Sequence, residues 1–222
     1  MLTTNKASLV IDGSGSAVFA GLLDTKNRWL AKVSRDGTPL EELFPVVKVA
    51  LTESGLSLTD IGSYIYCEGP GSVLGLRLCA MAIETWTRIY PESAQYYKYN
   101  SLQLSAYALL HAKPDLQDAL IVADWKKGAW NALYIKGRHV GATEVIDDAS
   151  LGDWKDLIYH LPQRKGWQSP PEKVQTLRYD PSILDTISDA SGLIRMTARI
   201  ELYNSGINTF QKWTPTRHRA QA

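Results

Sequence analysis

The sequence predicts an α/β protein of two lobes, each a mixed sheet flanked by helices, dividing near residues 100–110. Three observations predict it. Three short apolar runs open the chain, a helix–strand–helix series follows as far as Tyr90, and a hairpin pattern restarts at Ala119. The lobes are placed at residues 1–105 and 106–222, the tail of the second being partly irregular. At 222 residues the chain is long enough for one large domain or two small lobes, each with its own core.

The first run, Ala7 to Ile11, ends in a glycine-rich turn, Asp12-Gly13-Ser14-Gly15-Ser16. Ala17 to Leu23 and Arg28 to Val33 read as two further strands joined at Asp24 to Asn27, which makes an antiparallel meander. A well-marked helix comes next. Thr38 is its N-cap, Pro39 its first residue, and Glu41 completes a capping box. Leu40, Leu43, Phe44, Val47 and Leu51 recur at helical spacing and predict one buried face, and Gly55 ends the helix. Pro45 removes one backbone hydrogen bond and predicts a kink.

Ser63 to Cys67 is a fourth strand, running through Glu68-Gly69-Pro70-Gly71-Ser72 into a helix from Val73 to Tyr90. That helix is apolar on two faces. Leu74, Leu78, Met81, Ala82, Trp86 and Ile89 form one, and Val73, Leu76, Ala80, Ile83 and Tyr90 the other. Only Arg77, Glu84 and Arg88 make a polar stripe, so the lobe or a partner chain must cover more than one side.

The second half predicts a helix from Ser101 to His111, then strands Ala119 to Asp124 and Ala129 to Lys136 joined by Trp125-Lys126-Lys127-Gly128. A strand over Arg138 to Val145 and helices over Asp153 to Leu161 and Ser191 to Tyr203 follow. Between those helices, Pro162, Pro170, Pro171 and Pro181 predict loop, with one strand near Val174 to Leu177. The tail beyond Trp213 is basic and expected to fray.

Composition narrows the function. The chain is 45% hydrophobic and 21% charged, an ordinary globular mixture. A net charge of +1 gives no field strong enough to hold tRNA unaided. Cys67 and Cys79 form neither a disulfide framework nor a zinc knuckle, and both read as packed thiols. Met1 to Ser8 lacks the apolar run of a signal peptide, and no stretch approaches the ~20 apolar residues of a membrane span. A reduced, cytoplasmic compartment is expected.

The order strand, strand, strand, helix, strand, helix is the unit of the actin-like, sugar-kinase-like ATPase fold, a ribonuclease H-like architecture. Three patterns sharpen this. The first is Leu9-Val10-Ile11-Asp12; the second is Gly69-Pro70-Gly71-Ser72 followed by Gly75-Leu76-Arg77. The third is Ala123-Asp124-Trp125-Lys126-Lys127-Gly128 with Trp130 and Tyr134, and Tyr203 and Lys212-Trp213 are a fainter echo. In these the chain resembles the TsaB (YeaZ-like) family over most of residues 7–136. It departs from the family at Asp12-Gly13-Ser14, where members have Asp-Thr-Ala or Asp-Thr-Ser. It departs again at Ser72-Val73-Leu74-Gly75, where they have Ser-Phe-Thr-Gly.

The family is described as peptidase M22-like, inactive paralogues of TsaD. Members dimerise with TsaD and, with the ATPase TsaE, support transfer of a threonylcarbamoyl group to the adenosine beside the tRNA anticodon. The resemblance therefore implies a non-catalytic scaffold without a cofactor, with TsaD-like and TsaE-like partners and a homodimer in their absence. It also implies that the Val73 to Tyr90 helix and the helix before it pack on another chain, with Val73, Leu76, Arg77, Ala80 and Ile83 in the contact.

The residues themselves leave chemistry to weigh. Asp12, Gly13, Ser14, Gly15 and Ser16 stand where active members of the fold cradle ATP phosphates, and Asp124 stands in the matching second hairpin. Bulky Trp125, Lys126 and Lys127 crowd that hairpin, so a tight turn is the simpler reading. His111, His139, His160 and His218 lie far apart in sequence, and no metal-ligand pair is visible. Ser72 reads as a helix cap and not a nucleophile. Lys126, Lys127, Lys136, Arg138 and His139, interleaved with Trp125 and Trp130, read as a solvated hairpin ahead of an RNA contact. Two alternatives stay open: a residual nucleotide-binding enzyme of the same fold, kinase- or hydrolase-like, and a diverged homodimer with no tRNA role.

Overall fold

A computed structural model describes residues 6–90, 94–163, 169–170, 173–187 and 192–206. The opening meander forms as expected: β1 (Ala7–Asp12), β2 (Ala17–Leu23) and β3 (Trp29–Asp36) pair antiparallel in sequence. α1 (Pro39–Ser54) follows, capped by Thr38 and closed by Gly55 in the left-handed conformation. β4 (Ile61–Gly69) then joins β1 in parallel, and α2 (Val73–Ile89) leads to β5 (Gln95–Asn100), parallel to β4. Strand β5 has no counterpart in the sequence prediction.

α3 (Ser101–Ala112) carries the chain to the second sheet. Its strands are β6 (Ala119–Lys126), β7 (Ala129–Lys136), β8 (His139–Asp147), β9 (Leu157–Leu161) and β10 (Gln175–Thr176), with the short α4 (Asp148–Gly152) before β9. α5 (Leu184–Ile187) and β11 (Arg195–Thr197) complete the described elements.

The two sheets share one topology. The first runs β3-β2-β1-β4-β5, with β11 added at the β5 edge, and the second runs β8-β7-β6-β9-β10. In each, an antiparallel meander is followed by two parallel strands on the other side of its first strand. The helices are not duplicated. α1 covers the first sheet with 16 residues, whereas the matching connection in the second is the five-residue α4 with Trp154 packed beside it.

Four expectations need correction. Asp153 to Leu161 was expected as helix but contains β9, because Tyr159, His160 and Leu161 are buried between layers and show no alternation. The segment expected as a helix over Ser191 to Tyr203 is extended: from residue 192 it supplies β11 and then crosses the first lobe, Tyr203 N donating to Glu68 O at 2.7 Å. The second lobe is therefore not simply residues 106–222, since β11 belongs to the first sheet, and a boundary at residue 105 cuts α3, which packs on both cores. Leu40 and Phe44, expected on the buried face of α1, are exposed, because that helix turns Leu43, Val46, Val47 and Ala50 to the sheet. The basic tail beyond Trp213 lies outside the described residues.

Candidate functional site

The turn after β1 is built by close backbone contacts. Ser14 N donates to Asp12 Oδ1 at 2.6 Å, closing the turn on its own carboxylate. The Gly69-Pro70-Gly71-Ser72 loop lies against it: Ser72 N donates to Ser14 O at 2.9 Å, and a Cβ on Gly71 would sit 2.7 Å from Ser14 O. Ser72 Oγ accepts from Gly75 N at 3.3 Å, so Ser72 is the cap of α2. A Cβ on Gly75 would lie 1.9 Å from Gly13 O. The signature glycines thus weld the first turn of α2 to the end of β1, while Arg77 points to solvent.

Asp12 is buried and fully engaged. Besides Ser14 N, its Oδ2 accepts from the Tyr99 hydroxyl and from Tyr179 Oη, the latter at 2.6 Å. Burial, with Asp12 beside them, holds the phenols of Tyr99 and Tyr179 and the thiol of Cys67 well above their ordinary values, so all three are neutral near pH 7. Burial does the same to Cys79. Neither cysteine is poised as a nucleophile.

Tyr179 lines the space on both sides of the turn. It reaches in from the segment after β10, and a Cβ on Gly15 would lie 2.8 Å from its ring. Behind that ring, Pro70, Gly71 and Ser101 face Ala123, Leu161, Pro162 and Gln163 across a space of about 10 Å³. That is room for one water at most. In front, a groove of about 660 Å³ opens between the β2–β3 face and residues 177–182. Tyr179 stands between the two.

The second hairpin faces other partners. The Asp124 carboxylate lies 3.4 Å from His160 Nε2, and the Asp124 carbonyl accepts from Asn131 Nδ2 at 3.0 Å and Gln163 Nε2 at 2.8 Å. The structure thus sets Asp12 and Asp124 at matching strand ends but gives each its own hydrogen-bond partners. Lys126 lies over the Trp125 ring at 4.4 Å, and Trp130 packs into the second core. Among the described residues no cluster of three or more His, Cys, Asp or Glu gathers as a metal site.

The expected partner contact requires correction. Ile83 is 0% exposed and Leu76 7%, both in the protein's own cores. They lie there because α2 packs with Gly75, Cys79, Ala82 and Trp86 inward, against the sheet and α1. Val73 and Arg77 are exposed and Ala80 is half-buried. The open apolar stripe is instead Leu74 (55% exposed), Met81 (61%) and Ile89, beside exposed Phe44 of α1, whose ring meets Trp86 edge-on.

No family model and no curated protein matches the sequence. Solved structures do match. YeaZ from Pseudomonas aeruginosa superposes with a TM-score of 0.56 at 16% identity, over 70% of this chain and 75% of its own. The fold is that of YeaZ. A second structure, of an uncharacterized protein with similarity to peptidase YEAZ from Pseudomonas aeruginosa, gives 0.55 at 17% identity with the same coverage. The YeaZ likeness and the repeated strand order together bear out the expected α/β fold of two mixed sheets flanked by helices. No helix among the described residues is long and apolar enough to cross a membrane.

Tyr179 is the functional residue that sequence reasoning missed. It sits in the proline-rich stretch read as loop, and its one contextual signal is an aromatic residue two positions before Pro181, which carries no hint of Asp12.

Proposed function

We propose that this chain is a non-catalytic partner subunit of the TsaB type. In this reading it pairs with a TsaD-like chain, acts alongside a TsaE-like ATPase and supports threonylcarbamoyl transfer to tRNA. The observation that carries it is the occupied turn: Tyr179 packs on Gly15 and its hydroxyl takes the Asp12 carboxylate, where a nucleotide would meet the glycine-rich turn. Asp12 is spoken for by three donors from within the chain. The YeaZ fold supports the family half of the reading, and the open stripe of Leu74, Met81, Ile89 and Phe44 supports the partner half. Without a TsaD-like chain, the same stripe would pair two copies of this one.

Two measurements test it. Titration calorimetry with ATP and magnesium is expected to show no binding at micromolar concentrations, about −8 kcal/mol or tighter. Affinity purification from the native host is expected to bring down a TsaD-like chain. A saturable ATP isotherm would promote the nucleotide-binding enzyme, and a stable dimer that ignores TsaD-like chains would promote the homodimer.

A further inference from the structure

The route of the chain around Tyr179 ties the lobes together. Residues 175–176 are β10, paired with β9 in the second sheet, and Leu177 N donates to His160 O at 2.8 Å. A few residues later the Ser182 carbonyl accepts from Trp29 Nε1 of the first lobe at 2.9 Å, and Leu184 is buried with Val10 and Phe19. The segment thus leaves one sheet and enters the core of the other within about ten residues. Tyr179 sits at the crossing and packs on both cores. Its hydroxyl reaches Asp12, whose other oxygen holds Ser14 N, and Ser14 O holds the amide that opens α2.

We propose that Tyr179 is a positioning residue, a lock that holds the lobes closed and, through the Asp12–Ser16 turn, fixes the first turn of α2. The link to α2 is stiff. Gly13 and Gly75 touch backbone to backbone, as do Ser14 and Gly71, so the turn cannot shift without moving the helix start. The partner-facing stripe on α2 is then set from the crossing between the lobes, through the turn that Tyr179 holds. The inference rests on the proposed function only in taking α2 as the helix a partner meets.

Hydrogen exchange on the full chain, wild type against Tyr179→Phe and Tyr179→Ala, tests it. The phenylalanine keeps the ring and removes one donor from buried Asp12. Amides in Gly13–Ser16 and in Ser72–Leu76 are expected to exchange about tenfold faster together, while Leu120–Val122 of β6 stay as in wild type. Tyr179→Ala is expected to accelerate the same two segments further. Wild-type protection of Gly13–Ser16 in Tyr179→Phe overturns the lock. Faster exchange there with an unchanged Ser72–Leu76 overturns the coupling to α2. If the alanine variant fails to fold, the phenylalanine variant alone decides. The experiment needs no partner, so a chain that recruits no TsaD-like subunit sinks the proposed function and leaves the lock standing.

Discussion

Gly13 and Gly75 form the closest approach at any described glycine, since a Cβ on Gly75 would lie 1.9 Å from a backbone oxygen. Main chain on both sides leaves nothing flexible to give way. Gly75→Ala is expected to destabilise by about 1–3 kcal/mol or more, read as a lower urea midpoint; a wild-type midpoint would show the joint to be slack. Buried phenols set an alkaline limit. Burial pushes Tyr64 and Tyr66 up to about 12 from an ordinary 10. Their neutral forms are favoured in the fold, so the contribution is fully present below pH 10 and is lost as pH rises through 12. Stability is expected to fall in that window, and less steeply in Tyr66→Phe. At this scale the caps were legible, because Thr38 and Ser72 act on amides within three residues. Tyr179 was not: its acceptor lies 167 positions away.

The two long helices show where reading by element succeeds and where it stops. α1 was legible end to end, since its cap, first-turn proline and terminal glycine are local devices. α2 was legible as a helix but not in its facing. Small Gly75, Cys79 and Ala82 let it settle deep against the sheet and α1, which draws Leu76 and Ile83 into the cores. Trp154, Leu157, Ile158 and Leu161 recur at helical spacing, yet β9 is a strand because it pairs in parallel with β6. β5 has no counterpart in the sequence prediction, although Tyr97 and Tyr99 alternate with Lys98 and Asn100 as in a strand; its place is fixed by pairing with β4 and β11 on either side. The corrected facing makes a paired prediction. Ile83→Asp buries an unpaired charge and is expected to unfold the lobe, at about 3 kcal/mol or more. Met81→Asp is expected to leave stability within about 0.5 kcal/mol and to weaken co-purification of the TsaD-like chain. Full recovery of that chain with Met81→Asp would move the contact off this stripe.

At the scale of the molecule, one strand order is used twice, and the two sheets carry different helices. The first keeps long helices, while the second replaces one with α4 and a tryptophan. That duplication was invisible in the sequence, since what repeats is the pairing of strands and not residue types. The return of the C-terminal stretch was equally hidden. Buried Glu68 is paired by Lys98 at 3.0 Å and by Arg195, and the Tyr66 hydroxyl is held between the amide and carbonyl of Glu201. A chain stopped before Arg195 is expected to lose about 3 kcal/mol, read as a lower urea midpoint; an unchanged midpoint would make the strap ornamental. The strap also bears on synthesis. β5 leaves the ribosome roughly a hundred residues before β11, so at about 5–20 residues per second its outer edge waits some 5–20 s for its closing strand. During that interval the first lobe is a nascent sheet with a bare hydrogen-bonding margin, the kind of margin that other extended chains, or a chaperone, can claim first.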